Sequence, residues 1–163
     1  MAYRNKTYVC FDADTDIIYY NLMKAWKENG KIAFDFNDAH DLNNLRDSSS
    51  EEQIKKKLRE RLKNTKVLIV LIGENTKKLY KYVRWEIEVA IELEISIVVA
   101  NLNKKRKIDF ELCPKILKDT LAVHVGFGQN IINYALNHWP KHHEDLSSKG
   151  VSGPHSYSDK IYD

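Results

Sequence analysis

The sequence predicts a single doubly wound α/β domain, a five-stranded parallel sheet flanked by helices. Three observations predict it. The run 66–73, Lys-Val-Leu-Ile-Val-Leu-Ile-Gly, is apolar at nearly every position. A strand tolerates that only when both of its faces are covered. A helical pattern follows at 82–91. Strand-like and helix-like stretches then alternate along the chain, which favours parallel strands joined by right-handed crossovers.

Taken in order, residues 7–11 form the first strand and end in the acidic turn Asp12, Ala13, Asp14. Asp14 or Thr15 is placed to cap the helix that follows. That helix carries Ile17, Ile18, Tyr20, Leu22, Ala25 and Trp26, and stops at Asn29 and Gly30. Residues 32–36 alternate and read as a strand nearer a sheet edge. The polar stretch 37–47 is long for a connector, and long ordered connectors are often functional. Ser49 with Glu52 and Ser50 with Gln53 offer capping boxes in two registers. The helix they open buries Ile54, Leu58 and Leu62. Its Lys and Arg side reads as a solvated face, supported by Glu51–Lys55 and Glu52–Lys56 spacing.

Beyond the central strand and its helix, 95–101 is another apolar strand and 104–107 an exposed basic turn. Pro114 opens a short helical turn through Ile116 and Leu117. Residues 121–125 form the fifth strand. Gly126, Phe127 and Gly128 turn into a last helix that buries Ile131, Ile132, Ala135, Leu136 and Trp139 and ends at Pro140. The domain is therefore expected over 1–140. Residues 141–163 read as a polar tail without a packing pattern, with Tyr157, Ile161 and Tyr162 as its docking candidates.

The 163 residues are 43% hydrophobic and 30% charged, an ordinary composition for one globular domain. A net charge of +3 is too small to demand a nucleic-acid or membrane partner. Cys10 and Cys113 make no disulfide framework. No run reaches transmembrane length, and the N-terminal stretch lacks a signal core, so a cytoplasmic location is expected.

One residue departs from the helical pattern. At about 100° per residue with Tyr82 as zero, Val83, Ile87, Ala90 and Leu93 fall near 100, 140, 80 and 20°. Arg84, Glu88 and Glu92 fall near 200, 240 and 280°, a solvent face. Glu86 falls near 40°, inside the apolar stripe. A carboxylate there is costly unless it is paired, protonated or lining a cavity. Glu86 is either a Glu near a helix start that meets backbone amides or an Arg, or a functional carboxylate in a cleft.

In doubly wound sheets, ligands bind outside the carboxyl ends of the strands. That rim holds 11–14 with Phe11 and Asp12, 36–41 with Phe36, Asp38 and His40, 73–76, Asn101 and 126–128. Several chemistries on such a sheet are excluded by the residues present. The central and fifth strands lack the Asp and Lys of a phosphoryl receiver. The acidic turn after the first strand suits no flavin phosphate. No Walker A sequence exists, and 126–131 is an incomplete dinucleotide fingerprint in the wrong place. The histidines show no metal-ligand spacing with a supporting carboxylate on one helix face, and Asp38, His40 and Asp41 are the set that could form a small metal site. His40 is either a substrate contact at the rim or a solvated loop histidine. No metal and no cofactor are expected.

The strand 8–11, the segment 34–41, the run 67–76 and above all Tyr82-Val83-Arg84-Trp85-Glu86-Ile87 together resemble a TIR-like domain. The similarity is greatest to the TIR-like proteins of bacterial Thoeris antiphage systems, and it runs from about 7 to 139. The family's helix motif places an aromatic, usually Trp, four residues before a Glu needed for NAD cleavage. Tyr82 and Glu86 hold those positions here. The resemblance implies a flavodoxin-like, TIR-like fold and an enzyme that cleaves the nicotinamide–ribose bond of NAD. Its product would be an ADP-ribose-derived, cyclic signal that activates a separate effector protein. NAD is then substrate rather than cofactor. Glu86 is the implied catalytic residue, and Phe11, Asp12, Phe36, Asp38, His40, Tyr82 and Trp85 the substrate-binding set. Self-association or a phage-derived trigger would control activity, with neither nucleic acid nor membrane as partner. The rival reading is a non-catalytic TIR-like scaffold.

Overall fold

The structure, a computed structural model, describes residues 6–30, 35–38, 50–78 and 80–162. Its strands are β1 (Lys6–Cys10), β2 (Asp35–Asp38), β3 (Thr65–Ile72), β4 (Ser96–Asn101), β5 (Ala122–Gly126) and β6 (Pro154–Ser156). Its helices are α1 (Ala13–Glu28), α2 (Glu51–Leu62), α3 (Tyr80–Glu92), α4 (Lys115–Lys118), α5 (Gln129–Ser148) and α6 (Asp159–Tyr162). The sheet order is β2-β1-β3-β4-β5-β6, and every neighbouring pair is parallel. The chain winds one way from β1 to β2 and the other way from β3 onward. The topological switch therefore lies between β1 and β3.

β3 shows why the central run is apolar throughout. Leu68, Val70 and Ile72 enter one core with Ile54, Leu58 and Leu62 of α2 and Val83, Ile87 and Ala90 of α3. Val67, Ile69 and Leu71 enter the other with Tyr20 and Met23 of α1 and Ile131, Ile132 and Ala135 of α5. Alternate side chains of one strand thus serve opposite faces. Among the described residues β2 pairs only with β1 and lies at the sheet edge; it spans 35–38 where the alternation predicts a strand over 32–36, of which 32–34 lie outside the described residues.

The caps follow local chemistry. Asp12, rather than Asp14 or Thr15, caps α1: its carboxylate accepts from the Asp14 N–H at 3.1 Å and the Thr15 hydroxyl at 2.6 Å. Of the two boxes before α2, Ser50 with Gln53 forms. Asn29 closes α1, followed by Gly30 at φ 71°.

The C-terminal stretch differs from the expectation. α5 does not end at Pro140 but runs through it to Ser148. Pro removes one helical N–H and crowds the preceding turn. Packing on both sides outweighs that loss here, because Trp139 is buried, His143 lies against it and Leu146 joins the same core. The supposed tail also adds a sixth strand. β6 pairs with β5 from Ala122 opposite Pro154 to His124 opposite Ser156. At the first position of an edge strand, the missing N–H of Pro154 costs the ladder little. Tyr157, Ile161 and Tyr162 pack onto the α1 and α5 core, as the docking candidates did. Among the described residues, no helix is long and apolar enough to cross a membrane.

Candidate functional site

α3 is held in place by the sheet on one side and α2 on the other. Its apolar positions face the sheet, and its outer side is tied to α2. Lys55 reaches Glu88 at 2.5 Å, and Arg59 reaches Glu92 at 2.6 Å. Within α3, Arg84 also meets Glu88 at 2.8 Å. Burial alone would raise the Glu88 carboxyl, yet Lys55 and Arg84 hold it below the usual range.

On that fixed helix, Val83, Glu86, Ile87 and Ala90 are all buried, at the i, i+3, i+4, i+7 spacing of a core-facing stripe. Glu86 is 3% exposed. Trp85 beside it is also buried, and Tyr82 meets Trp85 edge to face at 5.3 Å between centroids. Tyr82, Trp85 and Glu86 therefore sit together at the amino-terminal half of α3, just after the β3 turn.

The other expected site residues lie at the ends of β1 and β2. Phe11 is half-buried and stacks on Tyr20 of α1 at 4.9 Å, which places it on the α1 side of the sheet. Tyr82 and Trp85 belong to the opposite side. Asp12 is buried, with its carboxylate committed to the α1 cap. Phe36 and Asp38 lie on the edge strand β2, which supplies their backbone positions. His40 lies outside the described residues.

The structure adds a residue that the sequence reading left out. Asp16, in the first turn of α1, is 6% exposed, and its Oδ2 has no hydrogen-bond partner. It reaches Gly73 at the end of β3, where an added Cβ would stand 2.5 Å from Oδ2. The carboxyl thus occupies the topological switch between β1 and β3. Burial first, then repulsion from Asp12 and Glu74, raises it to about 6 against the Thr15 hydroxyl, which lowers it. The same periodicity that isolates Glu86 would have found Asp16, because it precedes the buried Tyr20 and Met23 by four and seven residues. The neighbouring turn is fixed by the Thr76 hydroxyl, which accepts from the Gly73 N–H at 2.8 Å.

Asp12 and Asp16 follow β1 and Glu86 follows β3, and all three carboxyl groups are buried. Low-dielectric carboxylates can stabilise developing positive charge on a bound ligand. Among the described residues, no three His, Cys, Asp or Glu side chains gather as a metal site.

Residues 8–107, more than half of the chain, match the family described as Thoeris protein ThsB, TIR-like domain. The match runs from β1 past the end of β4 and contains α3 with Glu86 and the Asp16–Gly73 contact. With a parallel sheet wound on both faces and the aromatic-to-Glu helix inside the matched span, the chain belongs to the Thoeris ThsB TIR-like domain family.

Proposed function

We propose that this member of an antiphage defence family is an NAD-processing enzyme. It cleaves the nicotinamide–ribose bond and forms an ADP-ribose-derived, cyclic nucleotide that activates a separate effector protein. The observation that carries the reading is the burial of Glu86 in the core-facing stripe of α3, four residues after Tyr82.

When the bond breaks, its electron pair leaves with nicotinamide and cancels the pyridinium charge. No acid is needed for that departure. Positive charge then develops on the ribose C1 and ring oxygen, the situation met in glycoside hydrolysis. The Glu86 carboxylate stabilises that charge and holds the ribose hydroxyls. Its burial strengthens the interaction, since little water screens it. Cyclisation further requires that an internal nucleophile reach C1 before water does. Tyr82 and Trp85 form an apolar wall suited to that exclusion. In this reading Phe36, Asp38 and His40 supply further substrate contacts, Phe11 and Asp12 being engaged with α1 on the other side of the sheet, and self-association or a phage-derived trigger assembles the active state.

The test is to incubate the purified protein with NAD, with and without lysate of infected cells, and to follow nicotinamide by chromatography. Release with an ADP-ribose-derived co-product supports the reading. No release under any condition from folded protein favours a non-catalytic scaffold.

A further inference from the structure

A groove of about 1140 Å³ lies beyond α3, between the β3–α3 turn and the segment around α4. Its volume exceeds that of a typical small-molecule pocket, about 300–1000 Å³. Glu86 is not among its lining residues. Leu112, Pro114 and Ile116 supply an apolar floor, and Phe110 stands beside it 65% exposed. Among the described Phe, Tyr and Trp side chains, Phe110 is the one that is exposed.

The exposure of Phe110 is built rather than loose. The buried Asp109 carboxylate accepts from the Glu111 N–H at 3.0 Å and the Leu112 N–H at 3.1 Å. It also accepts from the Asn103 side chain at 2.8 Å, and the Cys113 N–H returns to the Asp109 carbonyl at 2.9 Å. This turn fixes the backbone on either side of Phe110 and points its ring outward. Lys77 donates to the Glu111 carbonyl and joins the β3–α3 turn to the same segment. A large apolar side chain held outward on an ordered turn has the character of an interface anchor.

The rim is cationic. Lys77, Lys78, Arg84, Lys115 and Lys118 line it against Glu111 and Asp119. Arg84 is already met by Glu88 at 2.8 Å, so the uncompensated charge comes from the lysines. The four lysines outnumber the two carboxylates of the rim, which gives the groove a local positive field.

We propose that this groove docks an acidic segment of a partner protein, with an aromatic or aliphatic residue seated against Phe110, Leu112 and Ile116 and flanking Asp or Glu side chains meeting the lysines. A single aromatic over an aliphatic floor suits one apolar anchor. Single-stranded nucleic acid instead calls for successive aromatic platforms along a basic track. Rim charges of this kind set association rate and partner choice, and their effect weakens with salt.

The test uses fluorescence polarisation with the intact chain. The probe is a fluorescein-labelled peptide with Phe and Leu anchors flanked by Asp and Glu. Its counterpart carries Asn and Gln in their place, and an oligouridine of equal charge is the third ligand. The acidic peptide is expected to bind at least about tenfold more tightly than its neutral counterpart at low salt. The double variant Lys115→Glu with Lys118→Glu is expected to lose about tenfold or more, as is Phe110→Ser. The same charge change at Lys104 and Lys107, on the basic turn elsewhere, should leave binding within about twofold. Circular dichroism establishes that each variant is folded, since the altered side chains lie on the surface. Equal binding of the two peptides, equal loss at Lys104 and Lys107, or tighter binding of the oligouridine would each overturn the proposal.

Discussion

The Asp16 carboxylate occupies the space that any side chain at position 73 would need, 2.5 Å from where a Cβ on Gly73 would stand. This contact joins the first turn of α1 to the end of β3 across the switch point of the sheet. It requires glycine for space rather than for backbone freedom. Gly73→Ala should therefore destabilise the protein by about 1–3 kcal/mol, as small-to-large changes in packed sites do. In an Asp16→Ala background most of that cost should vanish, because the two residues share one volume. Urea unfolding of the four proteins measures the coupling. Additive effects would show that the carboxyl is not the obstacle.

Two buried groups give stability opposite pH dependences. Asp16 is raised from 3.8 to about 6, so its contribution is complete below pH 3.8 and lost as pH rises through 6. His124 is fully buried, with neither ring nitrogen hydrogen-bonded, and burial lowers it from 6.5 to about 4. Its contribution is complete above pH 6.5 and lost as pH falls through 4. Asp16→Asn should stabilise the protein at pH 7.5 by up to about 2–3 kcal/mol, a gain that disappears in acid. His124→Leu should instead flatten the loss on the acid side. Melting curves across pH test both, and an Asp16→Asn gain that is largest in acid would contradict the assignment.

The ion pairs between α2 and α3 are expected to matter modestly. A double-mutant cycle on Lys55 and Glu88 should give a coupling of about 1 kcal/mol, since both side chains are partly shielded from solvent. The coupling should fall as salt is raised. A value indistinguishable from zero at low salt would mean that packing alone orients α3.

The sequence made some of this legible and not the rest, for identifiable reasons. The unbroken Val, Leu and Ile run of β3 announces a strand covered on both faces, because no other environment accepts it. Glu86 stands out because one carboxylate interrupts a strong stripe. Asp16 escaped because it lies in an acidic turn, where a first-turn Asp already has a helix-start explanation. His124 lies within a short apolar strand that β6 removes from the edge of the sheet. That strand has three residues, one of them Pro, and carries no pattern of its own. It forms because α5 continues past Pro140 and returns the chain beside β5. The Lys55–Glu88 pair spans 33 residues, so it follows from the packing of two helices rather than from local spacing.

The central claim is that Glu86 acts on NAD. Its most direct test compares nicotinamide release by the intact protein, Glu86→Gln and Glu88→Gln under the same activating condition. Glu86→Gln keeps the shape of the side chain and removes its charge, while Glu88→Gln controls for a carboxylate lost from the same helix. Release should fall by about a hundredfold or more in Glu86→Gln, the scale of losing one electrostatic stabiliser of a transition state, and stay within about threefold in Glu88→Gln. Release that persists in a folded Glu86→Gln protein would contradict the account.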